Sequence, residues 1–135
     1  MTRKVVFLCV HNAGRSQMAA AFARDLGGGA VQVFSGGSDP AAKVNPIAVE
    51  AMSEVGIDMS AATPQKWDLD DIRTADVVVT MGCGDECPFV PGVRYEDWEL
   101  DDPSGQPIEK VRVIRDEIHR RVADLLRRVG DGINP

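Results

Sequence analysis

The stretch Val5-Val6-Phe7-Leu8-Cys9-Val10-His11-Asn12-Ala13-Gly14-Arg15-Ser16 decides how this chain is read. Its opening run of Val, Val, Phe and Leu predicts a strand buried on both faces, placed at Lys4 to Val10. A cysteine leaves that strand, five residues follow, and Arg15-Ser16 then opens a helix. Such a loop suits a tetrahedral oxyanion with a thiol beneath it. Backbone N–H groups of Val10, His11, Asn12, Ala13, Gly14, Arg15 and Ser16, together with the helix N-terminus, supply the anion affinity. The Arg15 guanidinium can grip two oxygens at once, which a lysine cannot match in geometry. The same positive field favours a thiolate at Cys9, the candidate nucleophile. Ser16 can donate to that thiolate and also cap the helix. His11 is either one more donor or a loop residue facing solvent.

Outward from this loop, helices alternate with strands. Ser16 to Leu26 carries Met18, Phe22 and Leu26 on one face, and Gly27-Gly28-Gly29 ends it. Ala30 to Ser35 alternates as a second strand. Asn45-Pro46 begins a helix that runs to Val55 and stops at Gly56. Asp68 caps a short helix reaching Thr74, Asp76 to Met81 forms a second buried strand, and Val93 to Trp98 a further short one. Ile108, Val111, Ile114, Ile118, Val122, Leu125 and Val129 recur at intervals of three or four, which predicts one long amphipathic helix with His119 on its wet side. Strands alternating with helices imply right-handed crossovers, hence an α/β fold with a parallel sheet covered on both faces. Ligands of such sheets sit at the carboxyl ends of strands, where Cys9 stands. Trp67 and Trp98 are read as packing residues.

A chain of 135 residues, 44% hydrophobic, predicts one domain over 1–135 with a substantial core. The apolar run from Val5 to Val10 is too short for a signal peptide or a membrane span, so the expected compartment is the cytoplasm. Three cysteines do not build a structural disulfide framework and favour free or reactive thiols. A formal net charge of −6 argues against nucleic acid as a partner. It also means that an anionic substrate must be attracted locally.

Two further groups of residues carry chemistry. Met81-Gly82-Cys83-Gly84-Asp85-Glu86-Cys87-Pro88 follows the second buried strand, whose carboxyl end brings Cys83 toward Cys9. A spacing of four residues puts two Cβ atoms about 6 Å apart on a helical turn, close to what a disulfide tolerates. Flanking glycines and a proline suit a segment that changes shape, so Cys83 and Cys87 read as redox-active resolving thiols. Zinc would need four ligands, with only Cys9, His11 and His119 left to complete the set, and inert loop cysteines are the remaining reading. The third group is Asp101-Asp102-Pro103-Ser104-Gly105. Displacing an oxygen from an oxyanion needs a proton donor, and Asp102, adjoining Pro103, is preferred to Asp101 for that role. From Asp85 to Asp102 the acids Asp85, Glu86, Glu96, Asp97, Glu99, Asp101 and Asp102 face the single base Arg94.

Cys9, five residues, Arg15-Ser16 and a distant Asp102-Pro103 together resemble the low-molecular-weight protein tyrosine phosphatase superfamily over nearly the whole chain. Asn12, Arg15-Ser16-Gln17-Met18-Ala19, Phe34-Ser35-Gly36-Gly37 and Val79-Thr80-Met81-Gly82-Cys83 resemble its arsenate reductase branch. The resemblance implies a four-stranded parallel sheet with helices on both faces, and reduction of arsenate to arsenite through Cys9. It implies no bound cofactor and no resident metal. It does imply an external thiol reductant: thioredoxin, or a small thiol such as mycothiol with a glutaredoxin-like protein. The chain departs from the phosphotyrosine enzymes in carrying Ser104 and Gly105 after the Asp-Pro, and a single tyrosine, Tyr95. It departs from the thioredoxin-linked reductases in the shorter Cys83–Cys87 spacing, and from their potassium-binding members in having Ala20 where a glutamate would stand. A phosphatase for phosphotyrosine or small phosphate esters, and a sensor in which Cys9 only binds, are the competing expectations.

Overall fold

A computed structural model describes residues 2–83 and 86–132, the last three of these by backbone alone. Four parallel strands form one sheet in the order β2-β1-β3-β4: β1 Arg3–Cys9, β2 Val31–Gly37, β3 Val77–Thr80 and β4 Tyr95–Asp97. Register pairs Cys9 with Gly37 across β1 and β2, and Leu8 with Thr80 across β1 and β3. The carboxyl ends of the strands therefore lie along one edge of the sheet.

Alternation along the inner strands divides the interior into two cores. Val5, Phe7 and Cys9 of β1, with Val77 and Val79 of β3, face three helices: α1 Arg15–Gly27, α2 Pro46–Ser53 and α4 Ile108–Gly132. Val6, Leu8 and Val78 face the other way, against Ile72 of α3 Leu69–Arg73 and against Cys83 and Cys87. Helices thus cover both faces. Phe7 is fully buried and packs against Trp98, so truncating it to alanine would cost about 3–5 kcal/mol. Among the described residues no helix is long and apolar enough to cross a membrane.

Local chemistry sets most boundaries. Asn45 caps α2 by accepting from Ile47 N–H, with Pro46 at its first position, and the Asp68 carboxylate caps α3 through Asp70 and Asp71 N–H. Three expectations shift. Leu26 is exposed rather than packed, because the whole last turn from Arg24 to Leu26 overruns the core. α2 ends at Ser53 and yields to a turn before Gly56. β2 runs on past Ser35, where the alternation was expected to end, through Gly36 and Gly37, which stay extended beside a close neighbour. A Cβ on Gly37 would stand 2.5 Å from the Val10 carbonyl oxygen.

Candidate active site

Residues 10 to 14 bridge β1 and α1, and most carbonyls from Cys9 to Ala13 are occupied from outside. Ser38, Asp39, Ala41 and Asn45 N–H groups donate to the carbonyls of Cys9, Val10, His11 and Ala13 at 2.8–3.3 Å. With those carbonyls engaged on the outside, Asn12 N–H is free to donate to Cys9 Sγ at 3.2 Å. Asn12 occupies the left-handed region at φ 52, a conformation asparagine tolerates better than most residues.

Ser16 Oγ lies 2.8 Å from Cys9 Sγ and accepts a hydrogen bond from Asn12 Nδ2 at 2.7 Å. That bond directs the hydroxyl hydrogen at the sulphur, so negative charge on Cys9 meets two donors. Asn12 is itself fixed: its Oδ1 accepts from Gln17 Nε2 and from Gln65 N–H, each at 3.0 Å. In the sequence Gln17 enters only within the Arg15–Ala19 motif, with no role of its own, and Gln65 is missed. The available signal is a glutamine set between Ser16 and the apolar run Met18 to Ala23.

Above the sulphur opens a cleft of about 290 Å³, lined by Cys9, His11, Ala13, Gly14 and Arg15 from the loop. Val44, Asn45 and Pro46 form one wall, and Asp102, Ser104 and Gly105 another. Lys43 joins Arg15 in this lining, so two cations stand at the site despite the net negative charge of the chain. Among the described residues no Tyr, Phe or Trp lines the cleft; Tyr95 packs on the far face of the sheet beside Cys83 and Cys87. His11 is exposed, and its Nδ1–H donates to the Asp39 carbonyl at 2.9 Å. His119 is exposed on α4 and stacks on Phe22, away from the cleft.

The Asp-Pro loop reaches the site by packing on Gly14, where a Cβ would come within 2.8 Å of Pro103 Cγ. It presents Asp102, whose Oδ2 stands 3.7 Å from Arg15 Nη2. Asp101 turns instead to Lys110 at 2.7 Å; that hydrogen bond first, then the charges of Lys110 and Arg15, hold its carboxyl below the usual range. Arg15 Nη1 donates to the Leu100 carbonyl at 3.1 Å and also leans on Gly82, where an added Cβ would sit 2.7 Å from that nitrogen.

Gly82, with φ 82, begins the segment that carries Cys83 and Cys87. These two are joined in a disulfide with Cα atoms 5.7 Å apart, while Cys9 is a free, buried thiol. Among the described residues no three His, Cys, Asp or Glu side chains group as they would to hold a metal ion. Gly84 and Asp85, expected to contribute flexibility and negative charge, lie outside the described residues.

A four-stranded parallel sheet whose central cysteine sits under a loop of inward N–H groups, with an arginine and an aspartate above it, defines the cysteine-dependent oxyanion enzymes of this fold. The chain belongs to the low molecular weight phosphotyrosine protein phosphatase family, whose model matches residues 4–133. Within it, the chain is 45% identical to a putative arsenate reductase of Halobacterium salinarum, over 99% of this chain and 95% of that one. It is 39% identical to a glutaredoxin arsenate reductase of Synechocystis, over 94% of this chain and 98% of the relative. A solved thioredoxin-dependent arsenate reductase of Corynebacterium glutamicum superimposes with a TM-score of 0.84 at 43% identity, covering 96% of this chain. This chain spans only 62% of that longer one.

Proposed function

We propose that this protein reduces arsenate to arsenite, drawing two electrons from its own cysteines and exporting the disulfide to an external thiol. The observation that carries this reading is the Cys83–Cys87 disulfide just past the carboxyl end of β3, next to the strand that ends in Cys9. A phosphate-ester hydrolase has no use for it.

Arsenate enters the cleft and its oxygens are taken by the N–H groups of residues 10–16 and by Arg15. The Cys9 thiolate attacks arsenic, an S–As(V) bond forms, and the departing oxygen takes a proton from Asp102 and leaves as water. The Cys83 thiolate then attacks Cys9 Sγ. The S–As electron pair passes to arsenic, which leaves as arsenite, and a Cys9–Cys83 disulfide remains. Cys87 attacks Cys83 in turn, frees Cys9 and closes the Cys83–Cys87 pair. Cys83 has ground to cover, since its side chain packs with the Val6 and Leu8 face whereas Cys9 belongs to the Val5 and Phe7 face. Gly82, at a backbone angle that glycine adopts freely, supplies the hinge.

The Synechocystis relative is named for glutaredoxin and the Corynebacterium one for thioredoxin, which supports a thiol reductant here as well. Three working thiols suit the reducing cytoplasm. The test is a single turnover without added thiol. Fully reduced protein should release one equivalent of arsenite and gain a Cys83–Cys87 disulfide by mass spectrometry. A stoichiometric Cys9–arsenate adduct with no release would place resolution on an outside thiol.

Family membership favours a second reading, hydrolysis of phosphotyrosine or small phosphate esters by the same Cys9, Arg15 and Asp102. The cleft lacks an aromatic wall, so an aryl phosphate gains no stacking there. Efficient turnover of a phosphotyrosine peptide alongside feeble arsenate reduction would establish this reading instead.

A further inference from the structure

Whatever reduces the Cys83–Cys87 disulfide must reach two sulphurs that are almost enclosed. Cys83 is 2% exposed and Cys87 is 7% exposed, both packed against Val6, Leu8, Ile72 and Val78. Two residues past Cys87 stands Phe89, at 72% the most exposed large apolar side chain among the described residues. Its ring is not loose. It stacks on Tyr95 with centroids 4.9 Å apart. The Tyr95 hydroxyl donates to the Pro88 carbonyl at 3.1 Å and accepts from Val90 N–H at 2.8 Å, pinning the backbone on both sides of Phe89. Tyr95 in turn packs into the cluster that holds the disulfide. Exposed Glu86 lies beside the pair, and exposed Asp97 shares the Tyr95 face of β4 by strand alternation.

A rigidly presented, solvent-facing aromatic with an acidic fringe, beside a buried disulfide, has the form of an interface anchor. We infer that Phe89, backed by Tyr95, docks a protein dithiol reductant that carries apolar surface around its reactive cysteine and basic groups at its rim. This rests on the reading in which turnover produces the Cys83–Cys87 disulfide. Cys87 is the more exposed sulphur, so the reductant thiolate attacks Cys87 Sγ, the S–S bond breaks, and Cys83 leaves as a thiolate. The second thiol of the reductant then attacks its own first sulphur and frees Cys87. Two electrons and two protons pass from the dithiol to Cys83 and Cys87, and the reductant ends as a disulfide.

The experiment mixes oxidised full-length protein with reduced thioredoxin and follows the appearance of free thiol on Cys83 and Cys87, with no arsenate present. Phe89→Ala should lower the second-order rate constant about tenfold, as loss of an anchor residue does, and Phe89→Tyr should stay within about twofold of wild type. Reduction by dithiothreitol, which needs no docking surface, should differ by less than about twofold among the three proteins. A wild-type rate with thioredoxin for Phe89→Ala would overturn the inference. So would an equal loss with dithiothreitol, since the substitution would then act on the disulfide itself. Arsenite release in the first turnover, measured separately on reduced Phe89→Ala, should match wild type. If wild type itself releases no arsenite, the internal relay from Cys9 to Cys83 falls, while the thioredoxin rates still decide the docking.

Discussion

Cys9 and the Cys83–Cys87 pair leave neighbouring parallel strands, yet the chain holds them by opposite means. Four carbonyls of the Cys9 loop are tied to residues 38–45, and the Asn12 side chain is locked by Ser16, Gln17 and Gln65. Among the described residues, the pair is held by its own covalent bond, by packing against Val6, Leu8, Ile72 and Val78, by Glu86 N–H on the Cys83 carbonyl, and by the Tyr95 clamp beyond Cys87. Its near end is a glycine at positive φ. The difference follows the division of labour. A nucleophile that must meet a small anion at one point gains from geometry fixed in advance. A thiol that must cross the sheet edge to collect a disulfide gains from apolar packing and few hydrogen bonds.

Breaking the fixed side should have the largest effect. Cys9→Ser should lower arsenate turnover by roughly a thousandfold or more, with far-UV and near-UV circular dichroism unchanged, because the substituted hydroxyl cannot form the adduct. Appreciable reduction by that variant would end the proposed mechanism. Arg15→Lys should follow with a loss of about a hundredfold in kcat/KM, since the paired donors go with the guanidinium while the charge stays. Retention of activity with lysine would mean that charge alone, not a fixed fork, serves the oxyanion.

The movable side offers the finer test. Gly82→Ala places a Cβ 2.7 Å from Arg15 Nη1 at a φ that alanine resists. Stopped-flow single turnovers should show arsenite release slowed about tenfold, whereas mass spectrometry shows the Cys9 adduct forming at close to the wild-type rate. Equal slowing of both steps would mean that Gly82 serves the fixed side through Arg15 and is no hinge.

The same contrast explains what could be read from the sequence. Cys9, Arg15 and Ser16 were legible because strand, loop and helix are consecutive, so local signals suffice. The second face of the sheet was not, since only the pairing of Val6 with Val78, set by the fold, assigns Cys83 and Cys87 to the side opposite Cys9. Asn12 was readable as a loop N–H but not as a side chain, for one of its partners, Gln65, is 53 residues away. Asp101 and Asp102 are alike in sequence, and it is Lys110, in the first turn of α4, that draws Asp101 off and leaves Asp102 facing Arg15. The strand expected to end at Ser35 runs on through Gly36 and Gly37, where neighbouring backbone fills the space a side chain would need.

The smallest expected effect tests how far the fixed side extends. Asn45, at the head of α2, donates to the Ala13 carbonyl, and the other end of α2 is fastened to α4 by Glu54. Its carboxylate takes Arg112 in a two-point grip and Arg115 Nη1 at 2.8 Å, and Arg115 also donates to the Ala51 carbonyl. The Arg112 hydrogen bond first, then Arg115, bring the Glu54 carboxyl down to about 2 from the ordinary 4.5. A carboxyl depressed by folding contributes stability above its unfolded value and loses that contribution as pH falls through the folded one. Glu54→Gln should therefore melt slightly below wild type at neutral pH, and the gap should close as pH falls from 4.5 toward 2. The gap stays small because Glu54 faces water, where ion pairs are screened. Arsenate turnover at neutral pH should be unchanged, since the carboxylate lies at the end of α2 remote from the loop. A melting difference that persists undiminished to pH 2 would show that the two arginines act through packing and not through this charge. A loss of turnover would show that the rigidity of the Cys9 loop depends on the whole length of α2.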